Sequence, residues 1–129
     1  ALHDVFGYGC FFGGDAPDLR DVEQLHDLRL RTKKLRYEIE ILAEVSPPRL
    51  RTDAYPILTG LQDRLGEVND CAVAVRRLEE LACATSAPRG TPAFDALVRE
   101  ANDLLSRSRA DLTAWWTPLR AEQLKSALV

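Results

Sequence analysis

The chain has 129 residues, 20 acids, 17 bases and a formal net charge of −3, which fits one domain and argues against a surface coated in base for nucleic acid. An apolar fraction of 46% and a charged fraction of 29% are ordinary for a soluble globular domain, and no apolar run approaches the roughly 20 residues that span a bilayer. The total hides an uneven spread: residues 25–51 hold seven bases and four acids, while the segments on either side are both net acidic.

In chain order, Gly7, Gly9, Gly13 and Gly14 alternate with Phe6, Tyr8, Phe11 and Phe12. Glycine at that density resists a helix, so residues 1–17 read as an irregular arm. They are no phosphate loop, because no G-K-[ST] follows. Pro17-Asp18 reads as a helix start. Leu25, Leu28, Leu35, Ile39 and Leu42 then recur at helical spacing with Thr32 on the same face. The first helix is expected from Asp18 to Val45, closed by Ser46-Pro47-Pro48. A second is expected from Thr52 or Asp53, since Pro56 belongs in a first turn, with Leu58, Leu61, Leu65 and Val68 as its apolar face. Gly66 and Asn69 suggest a break, with Asn69 or Asp70 capping a third helix that carries Val75, Leu78 and Leu81. After a loop at 86–90, Thr91-Pro92 is a cap followed by proline at the first helical position. It opens a fourth helix with Phe94, Leu97, Val98, Ala101, Leu104, Leu105 and Leu112, ending near Trp116. Thr117-Pro118 repeats the signal for a short fifth helix. The expected fold is all-α: an antiparallel four-helix bundle with a short fifth helix, forming one domain over residues 18–129.

The cysteines (Cys10, Cys71, Cys83) make an odd count without C-x-x-C spacing, so neither a disulfide framework nor a zinc site is suggested and a reducing cytoplasm is the expected setting. No basic start precedes an apolar stretch, so no signal peptide is read. Methionine is absent even at position 1, as in a fragment or a processed chain. With two histidines, His3 and His26, a His-rich metal site is excluded.

On the first helix His26, Arg29, Lys33 and Arg36 fall within about 80° of one another on a helical wheel, clear of the apolar face, and form a stripe about 15 Å long. Like charges at such spacings repel, and Glu40, four residues after Arg36, neutralises only one of them. A line of cations fits a linear polyanion: arginine binds phosphate through a planar donor fork and lysine as a point charge. A charged helical stripe is otherwise only a solvated face, and His26 only a surface histidine.

The string His26-Asp27-Leu28-Arg29-x-Arg31-x-Lys33-Lys34-Leu35-Arg36-Tyr37, followed by Leu61-Gln62-Asp63-x-Leu65-Gly66-x-x-Asn69-Asp70, resembles the conserved histidine α-helical domain, or CHAD, family. The resemblance covers Asp18 to Ala84 well and the fourth helix loosely. It implies helix bundles, inorganic polyphosphate as ligand, and frequent association with triphosphate tunnel metalloenzyme domains. It puts the family histidine on His26, the basic residues on Arg29, Lys33, Lys34 and Arg36, and the closing aromatic on Tyr37. Gln62, Gly66 and Asp70 match the second pattern; Gly66 reads as a close-approach or helix-end position and Asp70 as a cap. Departures are Leu30, Thr59 and Gly60, where the family often carries a base. Family domains also usually contain two related bundles, and one is evident here. Leu2-His3-Asp4 echoes the histidine motif, but Phe6 stands where arginine is expected.

Three rivals are weaker. The Glu38-Ile39-Glu40 pattern of the tunnel metalloenzymes needs a strand, where i and i+2 share a face; on a helix the two carboxylates point about 200° apart. An HD-type phosphohydrolase needs more histidines, and no nucleophilic triad stands out, so catalysis is not expected. Nucleic acid is disfavoured because Tyr37 alone offers a stacking surface beside the stripe. A protein-interaction module is the alternative: Trp115 and Trp116 cannot both face one way on a helix, which leaves one for a partner within an apolar patch of Trp116, Leu119, Leu124 and Leu128.

The expectation is a non-catalytic domain that binds polyphosphate in the cytoplasm or at polyphosphate granules, without cofactor or metal. Arg29, Lys33 and Arg36 are the direct contacts, with His26 as a donor whose protonated form adds charge. Lys34 and Arg31 are secondary, and Arg49 and Arg51 extend the path. A homodimer that juxtaposes two stripes is one way to complete the cradle.

Overall fold

The computed structural model describes residues 21–84 and 90–128; the expectations for the arm, for His3, for Pro17-Asp18 and for most of the 86–90 loop lie outside them. Four α-helices and no strand are found among the described residues: α1 (Val22–Ile41), α2 (Tyr55–Ala84), α3 (Pro92–Trp115) and α4 (Pro118–Leu128), with a π-helical turn at Leu50–Ala54. The all-α expectation holds, while several boundaries move.

The N-cap of α1 is Asp21 rather than Asp18. Its carboxylate accepts from the Glu23 and Gln24 amides at 3.0 and 3.3 Å, and Gln24 Nε2 donates back to it at 2.9 Å. An acid with Gln three residues later is close to the capping-box pattern. α1 stops at Ile41, short of Val45. Its last core residue is Ile39, and Ile41 and Val45 are more than 80% exposed, so no buried face holds the next turn and the chain bends through 42–46 toward Pro47.

The second and third expected helices are one. α2 runs through Gly66 and Asn69 without interruption, and Asp70 is an exposed mid-helix residue rather than a cap. Glycine inside a helix costs about 1 kcal/mol, but Leu58, Leu61, Leu65, Val68 and Ala72 form one buried stripe through that point. Each buried leucine contributes roughly 2 kcal/mol, which outweighs the glycine. Pro56 sits in the first turn of α2, directly after the π turn in which the Tyr55 amide donates to the Leu50 carbonyl. Proline has no N–H and its ring crowds the carbonyl four residues back, and the wider turn relieves both.

Thr91 caps α3 with Pro92 at the first helical position. Thr117 caps α4, its hydroxyl accepting from the Arg120 amide at 3.2 Å. α2 is the central element: α1 and α3 pack on it, and α4 closes one end against the π turn. Leu25, Leu28, Leu35, Ile39, Leu58, Leu61, Leu65, Leu105, Leu112 and Leu124 form the core. Thr32 is fully buried on the same face, its hydroxyl donating to the Leu28 carbonyl at 2.8 Å.

The C-terminal apolar patch does not form. Leu124 is core, Trp115, Trp116 and Leu128 pack against it, and Leu119 alone is exposed. Trp116 has left the helix, with φ −81° and ψ 83°, which frees both indoles to stack at 6.2 Å between centroids. The rule that adjacent helical residues diverge does not apply across a helix end.

Candidate functional site

The cations of α1 differ in what holds them. Arg31 pairs with Asp27 one turn away, and exposed Lys34 lies 3.9 Å from Glu38. Arg36 is the most tightly held. Its Nε donates to Gln62 Oε1 on α2 at 2.8 Å, and its Nη1 to Glu40 Oε1 at 2.7 Å and to the Tyr55 hydroxyl at 3.3 Å. Tyr55 in turn donates to Glu40 Oε1 at 2.6 Å. The guanidinium is held above its ordinary pKa chiefly by the hydrogen bond with Tyr55; partial burial opposes this, and the charge of Glu40 adds to it.

Arg29 and Lys33 have no acidic partner among the described residues. Arg29 is half-buried and lies against α2 at Gly66, where an added Cβ would stand 4.0 Å from its Nε. That Nε is buried and has no hydrogen-bond partner. Exposed Lys33 has its ammonium 5.7 Å from the centre of the Tyr37 ring, which also carries the Arg36 guanidinium at 4.8 Å. His26, one turn before Arg29, is exposed.

These positions turn the sequence stripe into a seam. Arg29 faces Gly66 and Arg36 faces Gln62, four residues apart on the antiparallel α2, so the basic line runs beside the α1–α2 junction. Gly66 is therefore neither a helix end nor a position where packing requires glycine: the helix runs through it and an added Cβ would meet only Arg29 Nε at 4.0 Å. At the far end Arg51 lines a small hollow with Glu40 and Tyr55, which continues the line past Arg36. Arg49 faces elsewhere, toward α4, with Asp53, Leu119 and Glu122.

Two of the positions without a base have a structural cause or a cost. A Cβ on Gly60 would stand 2.5 Å from Trp115 Cζ2, so no larger residue fits under the indole. Trp115 is in turn clamped between the Arg64 and Arg120 guanidinium groups at 4.4 and 4.5 Å, and Arg64 also meets Asp111 at 3.1 Å. Thr59 keeps a buried hydroxyl without a partner. Tyr55 is the residue that sequence reasoning missed: it lies fifteen positions after Glu40, and nothing short of the helix packing brings the two together.

No group of three or more metal-binding side chains occurs among the described residues, and no described helix is long and apolar enough to cross a membrane. No curated protein and no solved structure matches the chain. A family model described as CHAD domain matches residues 12–79, a span that holds α1, the π turn and most of α2 and so the whole basic seam. That family consists of binding domains, generally non-catalytic, and is associated with polyphosphate. With more than half of the chain matched by that model, the protein belongs to the CHAD domain family.

Proposed function

We propose that this domain binds inorganic polyphosphate along the α1–α2 seam, with Arg29 and Lys33 as the principal contacts, His26 as the terminal donor, and Lys34, Arg31 and Arg36 contributing charge from its margins. The observation that carries the reading is the contrast in pairing: Arg31, Lys34 and Arg36 each have a carboxylate, whereas Arg29 and Lys33 have none among the described residues. The Arg29 Nε likewise has no hydrogen-bond partner, so its guanidinium is not committed to a protein acceptor as that of Arg36 is. Arg36 is already held by Gln62, Glu40 and Tyr55, so it orients the seam more than it grips the ligand. Repeated phosphates of one chain engage successive cations, so long chains bind and orthophosphate does not.

The test is a titration with polyphosphates of increasing chain length at several salt concentrations. Affinity rises with length until the seam is spanned and falls with salt, because condensed counterions are released on binding. Length-independent affinity, or none, overturns the reading. Targeting to polyphosphate granules and presentation of the chain to a triphosphate tunnel metalloenzyme are the roles this ligand would serve. Granule co-sedimentation that is lost with Arg29→Ala/Lys33→Ala tests the first, and pull-down of such an enzyme tests the second.

A further inference from the structure

α2 has 30 residues and α1 has 20, roughly 45 and 30 Å. Ala72 is the last buried residue of α2, and Leu105 the first of α3. Between them the two helices run on as a hairpin in which no described residue is buried. This hairpin is nevertheless apolar along one side. Cys71, Ala74, Leu78 and Leu81 follow the alternating three- and four-residue spacing of a packing seam on α2, and Leu97, Ala101 and Leu104 do so on α3. Leu81, Leu97 and Leu104 are each about half exposed. Most of these residues line a groove of about 590 Å³ between the helices. In proteins helical stability comes largely from burying such a face, and the described chain covers this one only in part: Cys71, Leu78 and Ala101 are half-buried, while Ala74, Leu81, Leu97 and Leu104 are exposed.

We infer that the groove is the dimer interface, covered by a second copy of this chain. Two observations favour a copy over another partner. First, Asp70, Arg77 and Glu100 line the groove, and none has an ion-pair partner among the described residues. A two-fold axis near Ala74, with the two α2 helices antiparallel, sets Arg77 of each copy opposite Asp70 of the other. The same patch is then self-complementary, as an isologous interface requires. Second, two identical hairpins presenting such seams complete a four-helix bundle, and Ala74 and Ala101 in mid-groove let the backbones approach. This interface makes no use of the basic seam or of any anion.

Light scattering on the full chain, without polyphosphate, reads the mass: a dimer has twice the 14.4 kDa of one chain. Leu97→Glu and Leu104→Glu, made singly, leave the helical circular dichroism unchanged, since both side chains are half exposed in one copy. Each raises the dimer dissociation constant at least about tenfold by placing an unpaired carboxylate at the seam. With Cys10, Cys71 and Cys83 changed to serine, Ala74→Cys beside the axis gives a disulfide-linked dimer on mild oxidation, and Arg107→Cys on an exposed part of α3 does not. A monomer at every concentration overturns the inference, as does a dimer indifferent to both glutamates. A monomer that dimerises only when residues 1–20 are removed also overturns it and gives the groove to that segment.

Discussion

At Arg36 one guanidinium joins α1 to Gln62 and Tyr55 of α2, while at Arg29, two turns earlier, a guanidinium nitrogen is buried with nothing to bond. Substitution separates the two. Arg36→Ala removes the bonds to Gln62, Glu40 and Tyr55 that join the two helices, though Tyr55 still donates to Glu40, and lowers the unfolding free energy by about 1–3 kcal/mol, read by urea denaturation. Arg29→Ala/Lys33→Ala breaks no hydrogen bond or ion pair, keeps stability within about 0.5 kcal/mol, and removes long-chain polyphosphate affinity. If the double variant binds as the parent does, the ligand lies elsewhere. Gly60 gives a purely structural counterpart. Gly60→Ala drives a methyl into the Trp115 ring and destabilises by about 1–3 kcal/mol, and Trp115→Leu in the same chain recovers part of that loss. Equal destabilisation with and without the indole would mean that Trp115 is not the obstacle.

At the scale of the element, α2 carries the architecture. Its buried stripe keeps register across Gly66, and an added Cβ there meets only Arg29 Nε at ordinary contact distance. Gly66→Ala is therefore expected to raise stability by about 0.5–1 kcal/mol, through helix propensity and a less mobile unfolded chain. A large loss in thermal melting would instead indicate a bend at that point. The starts of α3 and α4 were legible because Thr91-Pro92 and Thr117-Pro118 encode a cap and a preset φ in two adjacent residues. The break read at Gly66 was not real, because a local propensity of about 1 kcal/mol is small against a stripe of buried leucines. The start of α1 was not read at Asp21, whose capping role shows only in the bonds its carboxylate accepts from Glu23 and Gln24.

For the whole molecule, the net charge of −3 coexists with a basic seam, and binding depends on the local line more than on the total. In the salt titration, Lys33→Ala lowers the slope of log affinity against log salt by about one, the share of one phosphate contact; an unchanged slope would exclude Lys33 from the contacts.

The sequence by itself determined the helical class, most of the buried stripe and the angular alignment of His26, Arg29, Lys33 and Arg36, because these follow from the 3.6-residue period of one element at a time. It revealed the Arg36–Glu40 pair, four residues apart on one helix, but not the Gln62 and Tyr55 contacts that hold Arg36 or the Gly66 neighbour of Arg29, which lie on α2, 19 to 37 positions away. Nor did it locate the exposed apolar surface. Periodicity marks a residue as apolar on one face, as it did equally for Leu65 and Leu97, and only the tertiary packing decided that the first is fully buried and the second half exposed. Burial is a property of helix lengths and crossing points: α1 is shorter than α2, and where it ends the shared core ends with it.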